Sequence, residues 1–104
     1  MREPTLHFIP AAKSDLQDIW RYTKKEWGLP QAETYVAELK RSCHTLIQSP
    51  FLGKALPDVD DGLRVFRCQH HYIFYLIEQE RIVFLAFIHE RRNILRHVIT
   101  RLPS

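Results

Sequence analysis

Apolar positions run in short, alternating blocks through the second half of the chain and recur at steps of three and four through the first. Leu63–Cys68, His71–Ile77 and Arg81–His89 are rich in β-branched and aromatic residues and are joined by a few polar residues, which predicts three successive strands. Connections this short impose antiparallel neighbours, so the three runs form a β-meander. In the third run Ile82, Phe84, Ala86 and Ile88 alternate with Val83, Leu85 and Phe87, and both sets are apolar. A strand of that kind is covered on both faces and lies centrally in its sheet. Arg64 and Arg67 interrupt the first run, which predicts a wet end or a wet face there.

The residues before Gly62 read as the layer that covers this sheet. Thr5–Ile9 predicts a short strand, closed by Pro10, that joins the meander as an additional strand. Ala11–Trp27 places Ala12, Leu16, Ile19, Trp20, Thr23 and Trp27 on one face of an amphipathic helix. Ser14 and Gln17 fit a capping box, although the apolar phase reaches back to Ala12. Gly28 suits a left-handed C-terminal cap, and Pro30 suits the first position of a second helix, so the two helices form an antiparallel hairpin. Pro30–Gln48 carries Ala32, Tyr35, Val36, Leu39, Cys43, Leu46 and Ile47 on its inner face, and Ser49-Pro50 stops it. Phe51–Asp61 reads as a loop. After the meander, Asn93 suits the N-cap of a short last helix with an apolar side of Ile94, Leu95, Val98, Ile99 and Leu102. The expected architecture is α+β: an N-terminal strand, an antiparallel helical hairpin packed on an antiparallel sheet, and a short C-terminal helix.

At 104 residues and 45% hydrophobic composition, residues 1–104 make a single folded domain with one core. The longest apolar runs are strand-length, which excludes a transmembrane helix. The opening MREPTLHFIP lacks the apolar centre of a signal peptide, so the chain is expected in the cytoplasm. Cys43 and Cys68 have neither a metal-ligand nor a CxxC spacing and read as reduced, largely buried thiols. His70 and His71 are adjacent in a strand and point to opposite faces, so no metal site is expected. Nothing in the sequence calls for a cofactor.

Charge is unevenly placed. Residues 1–62 hold eight Lys/Arg against nine Asp/Glu, a net of −1, whereas residues 63–104 hold seven arginines against three glutamates, a net of +4. Arginine forks suit planar contacts with phosphate and carboxylate. Arg64, Arg67, His89, Arg91 and Arg92 are expected to form a basic surface at one end of the sheet. The plainer alternatives are an ion pair of Arg64 with Asp58, Asp60 or Asp61, and a hydrogen-bonded strand-end role for His89. Tyr72 and Tyr75 face opposite sides of their strand, one in the core and the other available to a partner.

The order of these pieces resembles a known family. A strand and a helix hairpin precede SPFLGK; Gly62-Leu63-Arg64 opens the next strand. Tyr72-Ile73-Phe74-Tyr75 follows, and His89 with Arg91 and Arg92 ends the last strand. Over nearly its whole length the chain is similar to the ParE branch of the RelE/ParE toxins of bacterial type II toxin–antitoxin systems. The resemblance implies a compact toxin held in a hetero-oligomer by a co-expressed antitoxin whose C-terminal segment wraps around it. It implies DNA gyrase as target, trapped with its DNA cut so that replication stops, with the gyrase-bound DNA as a further contact. RelE-like relatives instead cleave mRNA in the ribosomal A site, which needs a base, an acid and cations around one phosphate. They supply lysines beside the first meander strand and a tyrosine near the C-terminus. This chain has no lysine after Lys54 and no tyrosine after Tyr75. Only His89 with Arg64 and Arg91 remains as a makeshift acid–base set for that alternative. A third possibility is a toxin-fold protein acting only within an autoregulating repressor complex. The apolar stripe of the last helix either closes the open face of the sheet or is covered in part by the antitoxin.

Overall fold

A five-stranded sheet in the order β1-β5-β4-β3-β2 carries the helices on its two faces, in a computed structural model that describes residues 5–92 and 94–103. β1 (Thr5–Phe8) leads into α1 (Pro10–Trp27) and α2 (Leu29–Gln48). A 3-10 turn (Pro50–Leu52) and the two-residue β2 (Lys54–Ala55) precede β3 (Leu63–Cys68), β4 (His71–Glu78), β5 (Arg81–His89) and α3 (Ile94–Ile99). The α+β architecture and the meander match the sequence expectation. Asn93, the expected cap of the last helix, lies outside the described residues.

The additional N-terminal strand is present, and it is parallel: Thr5 pairs with Arg81 and Phe8 with Phe84, so the sheet is mixed rather than wholly antiparallel. β2 emerges within the expected loop, pairing Lys54 and Ala55 with Val65 and Arg64. β5 is flanked by β1 and β4 and buried along nearly its whole length, as its doubly apolar pattern predicts. Its face assignment differs from strict alternation. Tyr75 pairs with Phe84 and Phe74 with Ala86, so Leu85 is the extra residue of a β-bulge. Ile82, Phe84 and Phe87 consequently face the hairpin, while Val83, Leu85, Ala86 and Ile88 face the other side.

The hairpin-side core joins Leu16 and Ile19 of α1 and Leu39, Cys43 and Leu46 of α2 to Ile73, Tyr75 and Phe84. On the other face Val98 of α3, fully buried, packs with Leu63, Phe74, Leu76 and Ile88, and the loop residues Leu56 and Val59 complete the cover. The last helix thus closes part of the open face.

Two local expectations at α1 are corrected. The helix begins at Pro10 with Ile9 as N-cap and no side-chain cap, so Ser14 and Gln17 lie inside it and form no capping box. Pro10 supplies a preset helical φ, and its missing N–H has no partner to lose at a helix start. Trp27 is 74% exposed rather than on the buried face, because α1 ends there and the sheet no longer lies beneath it. Gly28 ends α1 with φ of 94° and its N–H on the Lys24 carbonyl, then accepts from Ala32 N as α2 begins. A side chain at that φ is strained, so one glycine fixes the hairpin.

Candidate functional site

The carboxyl end of β5, the β3–β4 turn and the hairpin enclose an open cleft of ≈ 990 Å³. The turn is tied to α2 by its polar groups. His70 N donates to Tyr35 Oη at 3.2 Å, and Gln69 Nε2 donates to the Glu38 carboxylate. Tyr35 Oη also lies 2.6 Å from His71 Nδ1, so one hydroxyl links the turn and the start of β4 to α2. Burial, followed by the neighbouring His89 and His70, lowers the His71 pKa from 6.5 to about 4. Burial likewise raises the Tyr35 pKa.

The three histidines form a cluster at the end of the sheet. His71 meets His89 edge-on with ring centroids 5.1 Å apart, and His70 stacks on His89 at 6.3 Å. His70 Nδ1 lies 2.8 Å from Glu90 Oε2, and the other Glu90 oxygen is held by Arg67 Nη2. The hydrogen bond from His70, then the Arg67 charge, keep the Glu90 carboxyl below its ordinary pKa. His89 Nδ1 accepts from Arg91 N at 3.2 Å, which folds the chain back and sends the Arg91 and Arg92 side chains into the cleft lining. His89 is thus a hydrogen-bonded residue at a strand end as well as a member of the cluster.

Among the expected basic-surface residues, His89, Arg91 and Arg92 line one cleft, and Arg67 reaches the same corner through Glu90. Arg64 does not join them, a correction to the single basic surface. It pairs with Tyr75 in the ladder, whereas the corner is the row Cys68, His71 and His89. Four residues along β3 separate Arg64 from that row, about 13 Å. Arg64 also forms no ion pair with Asp58, Asp60 or Asp61 among the described residues. Its Nη1 donates to the carbonyls of Phe51 and Gly53, and its guanidinium lies 4.9 Å from the Phe51 ring. The backbone of the 3-10 turn presents those carbonyls at β3's start, while Asp60 is occupied by Gly62 N. The acid–base set of His89, Arg64 and Arg91 is consequently not assembled around one point.

Sequence reasoning missed two elements of this region. Tyr35 reads only as an inner-face residue by its helical spacing, and its role depends on a turn 35 residues away. Asp15, which the helical spacing leaves off the apolar face of α1, accepts from Arg101 through both oxygens at 2.6 and 3.1 Å. Asp15 Oδ2 also accepts from Phe87 N, while Arg101 Nη1 donates to the Leu85 carbonyl. β1 pairs with β5 only as far as Phe84, so the pair satisfies backbone groups that β1 leaves open. Among the described residues no three His, Cys, Asp or Glu side chains are grouped to hold a metal. Nor is any helix long and apolar enough to cross a membrane.

A family model described as "ParE toxin of type II toxin-antitoxin system, parDE" matches residues 6–94. The chain is 36% identical over 94 residues to Toxin ParE of Escherichia coli, covering 89% of this chain and 91% of that protein. It is 30% identical over 87 residues to Toxin ParE1 of Caulobacter vibrioides, covering 84% and 90%. A solved structure described as the chromosomal ParDE TA system from P. aeruginosa superposes with a TM-score of 0.73 at 18% identity, covering 84% of this chain and 96% of that one. At that identity the likeness speaks for the fold.

Proposed function

The chain belongs to the ParE toxin family of type II toxin–antitoxin systems, and on that premise we propose that it acts on DNA gyrase in the cytoplasm. It stabilises the complex of gyrase with cleaved DNA, blocks replication, and is active only when no cognate antitoxin covers it. The toxin works by binding rather than by catalysis, and no cofactor enters. Contact with the target runs through Arg67, His89, Arg91 and Arg92, with Arg64 ordering the turn behind Phe51.

The observation that carries this reading is the corner itself. Arg91 and Arg92 are exposed and carry no carboxylate partner among the described residues. Each carboxylate that lines the same cleft already has a polar partner. Two exposed guanidiniums in the turn that follows β5 suit a partner rich in phosphate or carboxylate.

A gyrase assay on supercoiled plasmid with purified toxin tests the proposal. Protein-linked linear DNA is expected with toxin and none once the cognate antitoxin is added. Gyrase that cleaves and reseals normally in the presence of toxin overturns the reading.

A further inference from the structure

One end of the cleft carries features that contact with gyrase leaves unused. Tyr22 and Trp27 are 63% and 74% exposed and line the cleft together with His89, Arg91, Arg92 and His97. Their exposure on α1 leaves two aromatic faces open to solvent in the same cleft as two guanidiniums that no carboxylate neutralises among the described residues. Planar bases joined by phosphates match both halves of that lining at once. An acidic peptide answers the guanidiniums but offers the rings no stacking partner, and duplex DNA keeps its base faces inside the stack. We propose that this cleft binds single-stranded nucleic acid directly, stacking bases on Tyr22 and Trp27 while Arg91 and Arg92 grip the phosphates. The imidazoles of His89 and His97 border the same path and offer ring N–H donors to the backbone. The inference goes beyond the gyrase reading, because Tyr22 and Trp27 take no part in that reading and the chain itself holds the nucleic acid, with Arg91 and Arg92 common to both.

The test is fluorescence anisotropy of a labelled oligothymidylate, about twelve nucleotides long, with the full chain at low salt. Trp27→Ala is expected to weaken binding roughly 5- to 50-fold, and Trp27→Phe, which keeps a stacking face, to recover most of the loss. The double substitution Arg91→Ala/Arg92→Ala should reduce the steepness of the log affinity against log salt plot by about 1.4, one phosphate contact for each arginine. All the substituted side chains are exposed, so the folded state is retained. Absence of binding by the unaltered chain, indifference to Trp27→Ala, or equal affinity for a duplex of the same length overturns the proposal. Displacement of the oligonucleotide by oligoglutamate at equal charge overturns it in favour of an acidic peptide. Gyrase poisoning is scored separately with the same variants. A chain that poisons gyrase yet binds no oligothymidylate refutes the nucleic-acid cleft alone, and one that binds oligothymidylate without affecting gyrase refutes the gyrase reading alone.

Discussion

At Gly53 the backbone has an ordinary φ of −71°, yet there is no room for a side chain. A Cβ there would sit 2.9 Å from both the Tyr75 ring and the Val65 carbonyl oxygen. The Tyr75 hydroxyl accepts from Gly53 N at 3.0 Å and donates to the Pro50 carbonyl at 2.7 Å, so one buried tyrosine stitches the turn to the sheet. Gly53→Ala is expected to cost about 1–3 kcal/mol of stability by overpacking. Tyr75→Phe should cost about 1–2 kcal/mol for two lost hydrogen bonds. Urea unfolding of the double variant should show less than the sum, because removing the hydroxyl relieves part of the clash. His71 gives a second prediction at this scale. Its folded pKa of about 4 lies below the ordinary 6.5. The unfolded chain therefore binds more protons between those values, and stability falls as pH drops from about 6.5 towards about 4. His70, His89, Glu90, Asp15 and the Tyr35 hydroxyl are the titratable groups around it. His71→Gln keeps a hydrogen-bonding side chain beside Tyr35 and removes the titration. Its urea midpoint should change less between about pH 7 and about pH 5 than that of the unaltered chain.

Among the elements, β5 shows how a sequence pattern can be right in outline and wrong in detail. Its apolar run announces a central, doubly covered strand, and the strand is buried on both faces. The bulge at Leu85 was illegible, since every residue from Ile82 to Ile88 is apolar and a slipped phase leaves no polar residue misplaced. The clasp on this strand is a tertiary device of the same kind. Asp15 on α1 and Arg101 after α3 are 86 residues apart, and they meet because β1 stops short of β5's last residues. With side chains only 16% and 20% exposed, loss of either partner strands a charge in a half-buried place. Asp15→Ala is expected to cost about 3 kcal/mol in urea unfolding. Hydrogen exchange at the Phe87 amide should accelerate in that variant, since its acceptor is gone. An unchanged Phe87 amide would show that the clasp does not protect the strand edge.

For the whole molecule, charge placement decides what the fold offers to partners. From the positive half of the chain, Arg67, Arg91 and Arg92 gather at a corner around β5's end, while its acidic neighbours are tied up locally. Arg91→Glu/Arg92→Glu is expected to change stability by about 0.5 kcal/mol or less, since both side chains are exposed. The same variant should abolish growth arrest when expressed without antitoxin. A toxic double variant, folded by circular dichroism, would move target contact away from this corner.

The sequence by itself determined the meander, the helical hairpin, the buried face of α2 and the arginine bias of the second half. Each rests on periodicity or composition, which local chain geometry converts directly into structure. The order of SPFLGK, the Gly62-Leu63-Arg64 opening and the His89–Arg92 segment also carried the family resemblance. Only the tertiary structure decided which arginines share a corner. Arg64 and Arg67 lie three residues apart on β3, so the pleat sends them to opposite faces and their partners take them to different places. The parallel pairing of β1, the link from Tyr35 to His71 and the exposure of Trp27 are settled in the same way. Each depends on which distant segment packs alongside, a fact that no local window of residues contains.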